Sequence, residues 1–266
     1  MSADSAPLPP ATPPLVRTRG RVRTLEFIPG EIQSEMHLDA PHRITLDYVR
    51  AMLCFVLFQP RPAHIVMVGL GGGSLAKFCH RYLPHSRITV VELRADVIAL
   101  RDQFAIPPDS ERFRVVQGDG AAYLAAMAQD RSRRADVLLV DGFDRDGLPE
   151  ALCSAQFYSH CRQVLRHGGV LVANVFSYDP QYPVALARLQ HCFPRRVCSL
   201  HGIAGNNRIH FAVKAVAGGP ATPSLAMLAR IRRLGGRGLA WAMLHRLLAH
   251  WMVLRTKWLA RRRIIR

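Results

Sequence analysis

The sequence predicts an α/β domain built on a doubly wound, mostly parallel sheet, and three observations lead there. Four short, largely apolar runs lie at Ile65–Val68, Ile88–Val91, Phe113–Val116 and Val137–Val140. Runs of that length, rich in β-branched residues, read as strands buried on both faces. Each is followed by a helical stretch, and such alternation places helices on both faces of a parallel sheet, a Rossmann-like arrangement. Each run also ends on glycine or an acid: Gly69-Leu70-Gly71-Gly72-Gly73, Glu92, Gly118-Asp119-Gly120 and Asp141. In an open α/β sheet the ligand crevice lies beyond the carboxyl ends of the strands, where strand order reverses.

The elements divide the chain into four segments. Residues 1–20, rich in Pro, Ala and Ser at their start, are expected to form a disordered tail, and Met1–Pro14 lacks the apolar core of a signal peptide. Residues 21–62 read as a β-hairpin, Thr24–Ile28 and Glu31–Leu38 about a Pro29-Gly30 turn, followed by a helix over Asp47–Phe58 with Asp47 as its N-cap. Residues 63–217 carry the main sheet, with helices expected at Leu75–Leu83, Ala95–Phe104, Ala121–Ala128 and Gln156–Leu165. A fifth strand, Val170–Asn174, is introduced by a His167-Gly168-Gly169 turn, a helix follows over Pro183–Cys192, and Val197–Leu200 and Ile209–Val213 suit an antiparallel edge pair. Residues 218–266 are expected to form a separate, basic, amphipathic helical module after Gly218-Gly219-Pro220.

Charge is distributed unevenly. The net charge is +17, yet no Asp or Glu follows Asp179, and residues 180–266 hold 16 of the 36 Lys and Arg. The region 224–266 combines Arg255, Lys257 and Arg261-Arg262-Arg263 with Trp241, Trp251 and Trp258. A basic helix carrying Trp and Leu suits an anionic membrane surface; packing on the sheet domain or in a homodimer is the other expectation, and nucleic acid fits less well. The six cysteines form no C-x-x-C pair and the twelve histidines no zinc-spaced cluster, so no metal is expected. No run reaches the roughly 18 apolar residues of a membrane span. The expected location is cytoplasmic, with peripheral membrane contact through 224–266 as an addition.

The loops carry the chemistry. Glycines between a strand and a helix let the backbone approach a ligand and expose the first N–H groups of the helix. A dinucleotide fingerprint would place glycine at Ser74; Gly69, Gly71 and Gly73 instead match G-x-G-x-G, a spacing suited to a sulfonium nucleoside. Glu92, at the end of the second strand, suits the two ribose hydroxyls. Asp119, with Gly120, suits an adenine amine, or alternatively caps the following helix. Asp141 and Asp144 lie three apart over the pocket, placed to orient an amine substrate and take up its proton. Asp146 reads as a turn residue.

V-G-L-G-G-G-S-L-A-K, V-V-E-L, G-D-G-A-A-Y-L and L-L-V-D-G-F-D-R-D-G resemble, in order and spacing, the nucleotide-binding core of spermidine synthases. The resemblance spans roughly residues 24–215 and is strong from 65 to 175. Gln33-Ser34-Glu35 and Tyr48 are similar to the family's N-terminal element, which makes Gln33 and Tyr48 candidate substrate residues. The resemblance implies aminopropyl transfer from decarboxylated S-adenosylmethionine to an amine, with Asp141 as the catalytic aspartate and Asp144 as its companion. Gly72 stands where the family has an aspartate that holds the donor's amine, and Gly142, Phe143 and Arg145 replace small hydroxyl residues and a proline. Three readings follow: an aminopropyltransferase with an altered acceptor, a methyltransferase using S-adenosylmethionine, and a nucleoside-binding module without turnover.

Overall fold

A computed structural model describes residues 13–130, 132–142, 147–200, 205–215 and 239–264. It opens on a three-stranded antiparallel sheet, β1 (Leu15–Arg19), β2 (Val22–Ile28) and β3 (Glu31–His37), in which Gly30 takes a φ of 91° at the β2–β3 turn. The expected disordered tail is thus too long at its end, because Leu15–Arg19 pairs along β2 and its backbone groups are satisfied there.

Helix α1 (Asp47–Met52) continues as a 3₁₀ turn over Leu53–Leu57. Asp47 is not the N-cap: Leu46 holds that position without a side-chain cap bond, and Asp47 pairs with Arg50 inside the first turn. The main sheet then runs β4 (His64–Val68), β5 (Arg87–Glu92), β6 (Phe113–Gln117), β7 (Ala135–Val140), β8 (Leu165–Phe176), β9 (Val197–Leu200) and β10 (Asn207–Val213). Its spatial order is β6-β5-β4-β7-β8-β10-β9, parallel from β6 through β8, with β10 antiparallel to both of its neighbours. Strand order reverses between β4 and β7, which makes their carboxyl ends the switch point.

The interleaved helices are α2 (Ser74–Tyr82), α3 (Ala95–Ala99), α4 (Gly120–Gln129), α5 (Ala155–Val164), α6 (Tyr182–Cys192) and α7 (Leu239–Ile264). Period-two alternation sends Ile65, Met67, Val137 and Leu139 to one core, and Val66, Val68, Leu138 and Val140 to the other. Helix α3 is shorter than expected, since from Leu100 the amides bond three residues back, Leu100 to Val97 and Arg101 to Ile98, and the chain continues as turns to Ala105 at a φ of 51°. The expected His167-Gly168-Gly169 turn lies inside β8, where Gly168 has a φ of 80° and Gly168 and Gly169 exchange backbone hydrogen bonds with Lys214. The pairing with β7 shifts register there, so a bulge replaces the turn.

For the C-terminal helix two placements are expected, a separate module or packing on the sheet domain. Ala249, Met252 and Val253 of α7 belong to the same buried cluster as Ile65 and Phe211, so the described part of the basic extension packs on the domain rather than standing apart. Helix α7 lies against α1, the 3₁₀ turn and α2. Trp241, Arg263 and the segment 218–238, also part of that expectation, have no described side chains.

Lys77 on α2 is fully buried, and its Nζ donates to the Phe104 carbonyl at 2.7 Å beside the Met36 sulfur. Burial pushes its pKa down to about 8 from 10.5. A depressed folded value means that the unfolded chain binds more protons between about pH 8 and 10.5, so stability rises with pH across that window and is lost as pH falls to 8. Lys77→Met should therefore raise stability at pH 7 by about 1–3 kcal/mol and flatten that dependence. Denaturant unfolding at both ends of the window measures it; a less stable variant would show that the bond to Phe104 outweighs the desolvation.

Candidate functional site

The glycine loop after β4 needs its glycines for backbone reasons. Gly69, Gly71 and Gly73 have φ of 94°, 50° and 68°, all in the left-handed region. A Cβ at Gly69 would lie 2.2 Å from the Asp141 carbonyl oxygen, and one at Gly73 would lie 2.6 Å from Ile106. The first and fourth loops therefore touch, and the Asp141 amide donates to the Val68 carbonyl at 2.9 Å across the switch point.

Glu92 is buried and ties the first two loops together. Its Oε2 accepts from the Leu70 amide at 2.8 Å and its Oε1 from the Arg94 amide at 2.9 Å. Each oxygen retains a second lone pair for a hydroxyl donor. Asp119 is exposed and caps α4, with Oδ1 accepting from the Ala122 amide at 2.7 Å. Gly120 serves packing: a Cβ there would meet Val68 Cγ1 at 2.4 Å, so α4 approaches β4 as closely as backbone permits.

Asp141 receives hydrogen bonds from two side chains. Asn174 on β8 donates Nδ2 to Oδ1 at 2.9 Å, and the Tyr48 hydroxyl from α1 is the second donor. Burial raises the carboxyl's pKa and these two donors oppose the rise; burial and the carboxylate together push Tyr48 well above its ordinary value. Tyr48 also lies 3.4 Å from the Gln33 carbonyl. Tyr48 thus lies beside Asp141, whereas Gln33 contributes its main chain there. Asp144 lies outside the described residues. Beyond it, Asp179 accepts from the Leu148 and Gln181 amides and fastens the end of this loop to the loop after β8.

Two participants escaped the sequence reading. Asn174 is a lone amide inside the apolar run Val170–Phe176, a signal visible in the sequence but readable only once β8 lies beside β7. Ser34 reaches the glycine loop from β3, and its buried Oγ accepts from the Gly72 amide at 2.9 Å. A Cβ at Gly72 would lie 2.8 Å from Ser34 Cβ and 2.9 Å from Phe104. The space a larger side chain would need at position 72 is filled. Arg94, stacked 4.8 Å over Phe27, further seats the small N-terminal sheet on the second loop.

Among the described residues no three His, Cys, Asp or Glu side chains converge as a metal site, and no helix is long and apolar enough to cross a membrane. The arrangement is a glycine loop, a buried carboxylate and a braced aspartate around one switch point.

The chain is similar to known proteins. The spermine/spermidine synthase domain model matches residues 48–186. A polyamine aminopropyltransferase of Neisseria meningitidis is 37% identical over 187 residues, covering 70% of each chain. Among solved structures, human methyltransferase-like protein 13 in complex with SAH is 28% identical with a TM-score of 0.59, covering 73% of this chain and 96% of that one. A probable spermidine synthase from Corynebacterium glutamicum shares the fold at 20% identity and a TM-score of 0.65, covering 85% of both chains.

Proposed function

The chain belongs to the spermine/spermidine synthase domain family and is a transferase of that type, and from this premise we propose that it moves an aminopropyl group from decarboxylated S-adenosylmethionine to a small amine acceptor. The observation that carries this reading is Asp141, braced by Tyr48 and Asn174 beside the glycine loop at the switch point. An amine acceptor arrives as an ammonium and cannot attack until it loses a proton. Asp141 accepts that proton, the freed lone pair forms a bond to the methylene carbon beside the sulfonium, and the carbon–sulfur bond breaks with its electron pair going to sulfur. Methylthioadenosine leaves as a neutral thioether. Glu92 takes the ribose hydroxyls, the Asp119 Oδ2 the adenine amine, and the loop of Gly69, Gly71 and Gly73 the close approach of the nucleoside; Asp144 orients the acceptor.

A second reading has its own observation. Gly72 offers no carboxylate to a donor's amine, and Ser34 and Phe104 occupy the space where one would stand. That favours a donor keeping its own carboxylate, S-adenosylmethionine, and methyl transfer. Incubating the protein with each sulfonium nucleoside and a panel of amines separates the two by mass spectrometry. Methylthioadenosine supports aminopropyl transfer, S-adenosylhomocysteine replaces it with methyl transfer, and neither product removes turnover.

Glu92→Ala should weaken binding of the nucleoside product by at least about 1.5 kcal/mol, the scale of a charge-assisted hydrogen bond. Calorimetry reads this directly. Unchanged affinity would leave Glu92 only its tie between the Leu70 and Arg94 amides.

A further inference from the structure

Helix α7 carries apolar residues on two opposite sides. With 3.6 residues per turn, Ala249, Met252, Val253 and Ala260 fall on one side and Leu247, Trp251, Leu254 and Trp258 on the other. The first set is buried against the domain. The second is exposed at 62%, 55%, 64% and 50%, a continuous stripe along nearly three turns. Large apolar side chains in an unbroken exposed row mark an interaction surface rather than ordinary scatter.

Its borders are cationic. Arg255 and Arg262 flank one edge, each over a tryptophan of the stripe at 5.9 Å and 3.9 Å from the ring centroid, and Arg261 lies on the other edge. No acidic residue follows Asp179, so nothing within the helix neutralises them. Elsewhere the helix is tied down: Arg246 reaches Asp47 at 4.0 Å and Lys257 sits 5.5 Å over the Tyr82 ring. The stripe is therefore held outward by a helix fixed to the domain.

We propose that this outward face of α7 docks on the surface of an anionic lipid bilayer. Tryptophan and leucine enter the boundary between headgroups and acyl chains while the bordering arginines meet lipid phosphates. The helix lies along the surface rather than across it. Charge decides against a second copy, because a symmetric pairing would bring two sets of arginines together without a counter-charge.

The test uses the full chain with vesicles of phosphatidylcholine alone or mixed with phosphatidylglycerol. Sedimentation should show binding to the mixed vesicles only, lost at high salt as the charges are screened, with a blue shift of tryptophan fluorescence. Changing Arg255, Arg261 and Arg262 together to Gln should weaken binding roughly a hundredfold, on the basis of about fivefold per surface charge. Trp251→Ala with Trp258→Ala should weaken it at least about tenfold. Both sets are solvent-facing, so thermal unfolding should match the wild type, and the arginine variant tests the proposal even if the tryptophan variant unfolds. Equal binding to both vesicle types, no binding, or wild-type binding by the arginine variant overturns it. So does a dimer dissolved by the tryptophan substitutions without effect on lipid binding, or preferential binding of duplex DNA.

Discussion

Asp141→Asn should lower kcat by roughly 10²–10⁴-fold, the contribution of a positioned general base, while nucleoside affinity changes by no more than a few-fold. The amide is nearly isosteric, so the loop and its backbone bond to Val68 survive. It cannot take a proton, yet its amide can keep both contacts: Oδ1 accepts from Asn174, and Nδ2 donates to the Tyr48 hydroxyl oxygen, whose proton turns to the Gln33 carbonyl at 3.4 Å. The pH profile gives a second readout. Asp141 must be charged to act, and burial raises its pKa, so activity should fall on the acid side at a pH above the ordinary carboxylate value of about 4. Stability runs the other way. A raised folded value means that the stability this group contributes is present below its unfolded value and lost as pH rises through the folded one. At neutral pH the substitution should therefore leave stability unchanged or higher as activity disappears. A variant that loses nucleoside binding as much as turnover would move Asp141 from the acceptor to the nucleoside.

Gly69→Ala should cost about 2–5 kcal/mol, combining a side chain at a left-handed φ with overlap that the packed loop cannot relieve. The added Cβ would lie 2.2 Å from the carbonyl oxygen of Asp141 and 2.9 Å from its carbonyl carbon, both main-chain atoms. Relief requires separating the loops after β4 and β7, so turnover should fall even in molecules that remain folded. Gly118→Ala is the internal comparison. No atom lies within 4 Å of a Cβ there and its φ is not positive, so the change should stay within about 0.5 kcal/mol. Denaturant unfolding of the two variants distinguishes them; equal costs would show that the loop contact does not constrain position 69.

These expectations rest on residues whose legibility in the sequence differed. Gly69, Glu92, Asp119 and Asp141 could be located without coordinates, because strand ends are marked by the change from β-branched residues to glycine or acid, and parallel strands bring such ends to one edge. Asp119 kept two readings, and the structure gives its Oδ1 to the helix cap. Gly120 looked like part of a binding turn; its contact with Val68 makes it a packing residue. At the C-terminus the sequence left both a separate module and packing on the sheet domain open, because α7 has two apolar sides. A sequence pattern shows that such sides exist, not which one the domain has already covered.

The sequence by itself determined the fold class, the order of the strands and helices of the main sheet along the chain, and the edge at which its polar residues collect. These follow from local periodicity and from the chirality of strand–helix–strand connections, both written in consecutive residues. Only the tertiary structure decided that Asn174 and Tyr48 both brace Asp141, that Ser34 and Phe104 fill the space over Gly72, and that Trp251 and Trp258 face outward. Each of those facts is a distance between segments far apart in the chain, set by how layers pack rather than by any residue's neighbours in sequence.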